Sequence, residues 1–201
     1  MLVVNPADLT PVRAAATRAL ASATEISGLT LRLHPVLEVY PTVPMFRDAT
    51  GEPGWVAAST RANRVRLEPP GVLGSRLQAV LRHEFLHLLV ESNAKANTPL
   101  WFREGLVVYL TGGLRGQARR RLSPDQIDET IRVRRSQVEM ENAYAAAAAL
   151  VADLDQRWCR AEGAPHLPAS GKCGSPWLRW LRDGLPDGVG APPGARFHEV
   201  P

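Results

Sequence analysis

Cysteine is scarce in this 201-residue chain: Cys159 and Cys173 are its only two. That count excludes a disulfide-dense scaffold and any structural zinc site made of four thiolates. The pair brackets a loop containing Pro165, Pro168 and Gly171, and both a disulfide across that loop and two free thiols stay open. Long apolar runs are missing as well. The longest candidate, Ala143 to Ala152, is flanked by Glu141 and Asp153 and falls short of the roughly eighteen residues a membrane helix needs, so no membrane span is expected. Met1-Leu2-Val3-Val4 has no basic segment before it and is cut short by Asn5-Pro6-Ala7-Asp8, so no signal peptide is expected. The cellular compartment stays undetermined: a cytoplasmic protein and an extracytoplasmic domain trimmed from a longer secreted chain fit equally. No internal repeat is apparent.

Negative charge is in deficit, with 24 Lys and Arg against 20 Asp and Glu, a net charge of +4 and a pI near 9.6. Much of the excess sits in Arg115, Arg119, Arg120, Arg121, Arg132, Arg134 and Arg135. No nucleic-acid-binding motif or aromatic stacking platform accompanies these arginines, so nucleic acid is not an expected partner. A milder electrostatic partner is an acidic surface such as a bacterial envelope polymer. The bland alternative is a solvated charged face.

With 45% hydrophobic and 22% charged residues, the composition fits a small globular enzyme. The expected fold is α+β: a small N-terminal sheet with a helix, then a mainly helical lobe, with the active site between them. The N-terminal part covers about 1–73 and the helical part about 74–183 of one domain, followed by a Pro/Gly-rich tail over 184–201. An opening helix from about Pro6 to Ala23 places Leu9, Val12, Ala16 and Leu20 at helical spacing. Val36 to Tyr40, Gly54 to Ser59 and Arg64 to Leu67 read as extended segments punctuated by Pro41, Pro44, Gly51, Pro53 and Pro69-Pro70-Gly71. From Gly74 the pattern turns helical: about Gly74 to Ser92, a helix after Thr98-Pro99, Pro124 to Arg134, about Gln137 to Arg160, and Trp177 to Asp183.

The second of those regions carries chemistry. In His83-Glu84-Phe85-Leu86-His87 the two imidazoles are four residues apart, one above the other on a helix, so both can aim at a single metal ion. Glu84 lies between them, within reach of a water on that ion. The polar sector of this helix, Ser75, Gln78 and Arg82, is far round from the motif, which predicts that the motif faces protein. Two core histidines with an incidental Glu are the plain alternative.

Seventeen residues beyond His87, Glu104 interrupts the apolar stripe of Leu100, Val107 and Val108. A carboxylate there is stabilised by a cation in front of it. Thr98 is the expected cap of this helix and Pro99 its first turn. Gly105 costs a helix interior about 1 kcal/mol relative to Ala, and close approach of another helix is the expected compensation. Two His and one carboxylate, with a fourth position for water, make an open catalytic zinc site, so His83, His87 and Glu104 are the expected ligands of one zinc ion.

These residues resemble the gluzincin metallopeptidases, which include thermolysin and the zinc aminopeptidases. His83 to His87 looks like the family's zinc helix, and Trp101-Phe102-Arg103-Glu104-Gly105 is similar to the Trp-x-x-Glu-Gly segment of its aminopeptidase-like branch, with Arg103 where Asn is common there. Size and layout also resemble the minimal peptidase-MA-like domains of bacterial proteins. The resemblance is specific over Leu77 to Leu110. It implies hydrolysis of a peptide or peptide-like amide bond, with Glu84 as general base and a peptide or protein as substrate. It implies too that Tyr144, opening the small-residue stretch Ala145 to Ala149 with Leu154 ten residues on, stabilises the oxyanion; a helix-packing tyrosine is the alternative. In this family a strand before the zinc helix borders the cleft, and Gly54 to Ser59 is the candidate here. The aminopeptidase branch's Gly-x-Met-Glu-Asn segment has no counterpart before the zinc helix, where Met140-Glu141-Asn142 comes too late. That leaves endopeptidase or specialised amide hydrolysis open. A zincin-shaped binding or regulatory module without turnover is the rival class; the presence of Glu84 favours the enzyme.

Overall fold

Helix α4, Leu77–Asn93, packs against the helices Pro6–Ser27, Leu100–Thr111 and Trp177–Asp183 and the strand Ala58–Arg61. A computed structural model describes residues 6–32, 34–113, 120–161, 174–186 and 189. The order is α1 (Pro6–Ser27), β1 (Val36–Val39), α2 (Val43–Thr50), β2 (Ala58–Arg61), β3 (Arg64–Leu67), α3 (Pro70–Leu73), a 3₁₀ turn (Gly74–Arg76), α4, α5 (Leu100–Thr111), α6 (Pro124–Val133), α7 (Gln137–Ala161) and α8 (Trp177–Asp183). The architecture is α+β, a small sheet followed by a helical lobe, as the sequence implies.

β3 is the middle strand, parallel to β1 and antiparallel to β2. Two-residue turns between antiparallel strands favour left-handed backbone, and Ala62 between β2 and β3 adopts it with φ 54°. β2 is an edge strand that packs on α4. The strand expected over Gly54 to Ser59 therefore begins later, at Ala58, because residues 54 and 55 form a turn. A helix also replaces the loop expected between Pro41 and Gly51. Its signals are local: the Thr42 hydroxyl accepts from the Met45 N–H at 3.3 Å, a proline sits in the first turn, and Gly51 closes the helix at φ 69°.

α1 lies along α4 through Val12, Ala15, Ala19 and Ala23, all buried. The small residues set the helix spacing. Ala16 and Leu20 are partly buried at the margin, while the side chain of Leu9 lies outside those described. α5 packs against α4 on one side and against the alanine-rich face of α7 on the other. Thr98 does not cap α5: no side-chain cap bond is made at Pro99. Asp128 of α6 takes that role, its Oδ1 accepting from the Trp101 N–H at 2.5 Å. α8 closes the base, where buried Trp177 donates its indole N–H to the Ser27 carbonyl at 2.7 Å. Cys159, buried on α7, is disulfide-bonded. Cys173, His166, Arg115, Arg119 and the tail from residue 190 lie outside the described residues. Among the described residues no helix is long and apolar enough to cross a membrane.

Candidate metal centre

Successive turns of α4 bring the His83 and His87 Nε2 atoms to 3.1 Å from each other, with ring centroids 4.8 Å apart. From α5, Glu104 Oε2 stands 3.7 Å from His87 Nε2. The motif is largely buried, as the polar sector of α4 suggests. It faces a cleft of about 1130 Å³, whose walls also include Thr60, Glu52, Arg134 and Tyr144. Residues of the helical lobe and of β2 both line that cleft. His83, Glu84, His87, Glu104 and Tyr144, read from separate stretches of sequence, all line it.

The helices α4 and α5 are tied beside the site. Arg103 Nη1 of α5 donates to Glu91 Oε2 of α4 at 2.6 Å, one turn beyond His87. Gly105 admits α7 so closely that a Cβ there would meet the Ala147 carbonyl oxygen at 2.6 Å. The helix expected to approach Gly105 is thus α7, which also carries Tyr144.

Burial governs the protonation of this cluster. It lowers the His83 pKa to about 3, with His87 adding to the effect, and lowers His87 to about 4, with Arg103 adding. Both rings are neutral near neutral pH and have lone pairs for a cation. Burial also raises Glu84 to about 7 against the Thr60 hydrogen bond, with Glu104 and Glu52 raising it further. Glu104 is raised to about 7 by burial, opposed by Arg134 and Arg103. Tyr144 is pushed well above the ordinary phenol range, chiefly by burial and then by Glu104, so it remains a hydrogen-bond donor.

Two ligands held at 2.0–2.1 Å by a tetrahedral ion lie about 3.3 Å apart. The observed separations of 3.1 Å and 3.7 Å fall on either side of that value. Among the described residues no three His, Cys, Asp or Glu side chains are placed to hold a metal ion together. His83 and His87 are adjacent donors, and Glu104 approaches His87 without completing a three-donor set. Their chemistry, two neutral imidazoles and a carboxylate that gains from a facing cation, fits zinc.

Three further residues shape the site without a sequence signal that singles them out. Thr60 of β2 donates its hydroxyl to Glu84 Oε2 at 2.6 Å. Arg134, one of the arginine cluster, is the left-handed cap of α6 and donates to Glu52 Oε2 at 2.6 Å. Glu52 also accepts from the Ser59 hydroxyl at 3.0 Å, so this pair joins the two walls of the cleft. No family model matches the chain, and comparison with curated proteins and with solved structures finds no match.

Proposed function

We propose that this chain is a zinc-dependent metallopeptidase of the gluzincin type, hydrolysing peptide or peptide-like amide bonds. The observation that carries the reading is one cleft in which Glu84 lies beside two neutral imidazoles 3.1 Å apart and a neighbouring carboxylate. His83, His87 and Glu104 would hold the ion. Zinc, when bound, supplies a Lewis acid that acidifies water and polarises a carbonyl.

The chain's own residues account for the remaining steps. The Glu84 carboxylate takes a proton from the attacking water as its oxygen bonds to the scissile carbon, then returns that proton to the nitrogen as the C–N bond breaks. Tyr144 donates a hydrogen bond to the oxygen on which negative charge develops. The open edge of β2 offers backbone partners to an extended peptide. Exposed Arg120, Arg121 and Arg135 are the groups through which an acidic envelope polymer would be held. Retention on such material that does not weaken with salt would count against that partner.

The test pairs metal analysis with digestion of a peptide library, on the native protein and on Glu84→Gln. Zinc in both, with cleavage only by the native protein, supports the peptidase. Zinc in both without cleavage by either favours the binding module.

A further inference from the structure

Resting on the peptidase reading, we infer that Thr60 is a positioning residue that fixes the general base relative to the strand on which a substrate would lie. Two observations meet at this residue. Its hydroxyl donates to Glu84 Oε2 at 2.6 Å, with the Glu84 carbonyl oxygen much farther, at 3.4 Å. Glu84 is itself buried, and among the described residues Thr60 is its one side-chain hydrogen-bond partner. A carboxylate so placed has its orientation set by a single contact.

The second observation is the register of the hairpin. In antiparallel pairing, residues that exchange backbone hydrogen bonds alternate with residues whose N–H and C=O point outward. Arg61 pairs with Arg64 beside the two-residue turn, Ser59 with Arg66, and the Glu68 N–H donates to the Ala57 carbonyl at 3.1 Å. Thr60 opposite Val65 is therefore an outward pair. Its backbone N–H and C=O face the open edge of β2 while its side chain, on the same face as buried Ala58, reaches α4. One residue thus offers backbone partners to an added peptide strand and holds the base that acts on it.

The experiment compares Thr60→Val, which keeps the shape and removes the hydroxyl, with Thr60→Ser, which keeps the hydroxyl. Zinc-loaded proteins are assayed on library peptides cleaved by the native protein, and crystal structures of the native protein and both variants locate the Glu84 carboxylate. A misplacement of about 1 Å costs up to about 100-fold in rate. Thr60→Val is expected to lose about 10- to 100-fold in kcat at nearly unchanged KM and zinc content, with Glu84 turned from its native position. Thr60→Ser is expected to restore both rate and orientation. Native kcat in Thr60→Val, an equal loss in both variants, or an unmoved Glu84 in Thr60→Val would overturn the inference. If the native protein cleaves nothing, the peptidase reading fails, and the orientation of Glu84 in Thr60→Val still decides whether Thr60 positions it.

Discussion

Gly105 and Ala147 are in backbone contact across two helices: a Cβ on the glycine would lie 2.6 Å from the alanine's carbonyl oxygen and 2.7 Å from its carbonyl carbon. A helix backbone cannot swing aside as a flexible side chain does. Gly105→Ala gains about 1 kcal/mol of helix propensity, but forcing apart well-packed elements costs about 1–3 kcal/mol. The expected net change is a loss of up to about 2 kcal/mol in chemical denaturation, from those two opposing terms. Zinc affinity should weaken too, since Glu104 is the preceding residue. A variant more stable than the native protein with unchanged zinc affinity would contradict this packing.

Glu84 and Glu104 are both buried carboxyls raised to about 7, yet their substitutions should separate cleanly. Glu84→Gln is expected to lower kcat by about 10²–10⁴-fold, the usual contribution of a general base, with one zinc still bound. His83→Ala and Glu104→Ala are expected to lose zinc itself, measured by competition with a chelator. Equal zinc loss in all three would make Glu84 a ligand instead of a base.

Metal uptake should be linked to the carboxyls and not to the imidazoles. With Glu104 and Glu84 at about 7, both hold protons at pH 6 in the metal-free protein, whereas rings at about 3 and 4 are already neutral. Ligands must be deprotonated to bind, so zinc binding at pH 6 releases the protons held by the raised carboxyls, whereas at pH 8 any release comes from the zinc-bound water. Apparent zinc affinity therefore rises with pH through about 7. Calorimetry in buffers of different ionisation enthalpy measures the release, and Glu84→Gln should reduce it at pH 6. No proton release at pH 6, or release at pH 6 unchanged in Glu84→Gln, would contradict the raised carboxyls.

Tyr144 faces the same cleft from α7, and its raised pKa keeps the phenol protonated. Tyr144→Phe is expected to lower kcat by about 10²–10³-fold, as removal of an oxyanion donor does, with zinc content and thermal stability near native. A variant of native activity would make Tyr144 a packing residue.

The helical lobe was legible because its signals are periodic or local. The histidine spacing on α4, the carboxylate in the apolar stripe of α5 and the glycine beside it each predict a contact that lies within one or two helices. α8 matches its sequence-based bounds. What escaped depends on residues far apart in the chain. Asp128 replaces Thr98 as the cap of α5 because α6 packs across its first turn. Thr60 reaches Glu84 only once the hairpin docks on α4. Arg134 belongs to an arginine cluster by sequence and to the cleft wall by fold, where Glu52 receives it. α2 is a different case: Thr42, Pro44 and Gly51 are ordinary helix boundaries, but the prolines and glycine also read as loop punctuation.

X-ray absorption at the zinc edge tests the central claim most directly, because it reports the donors around the metal irrespective of substrate. The account predicts one zinc per chain with only nitrogen and oxygen neighbours at about 2.0–2.1 Å, including two imidazoles, and loss of that signal in His83→Ala. A protein that takes up no zinc, or a zinc shell that survives removal of His83 unchanged, would contradict it.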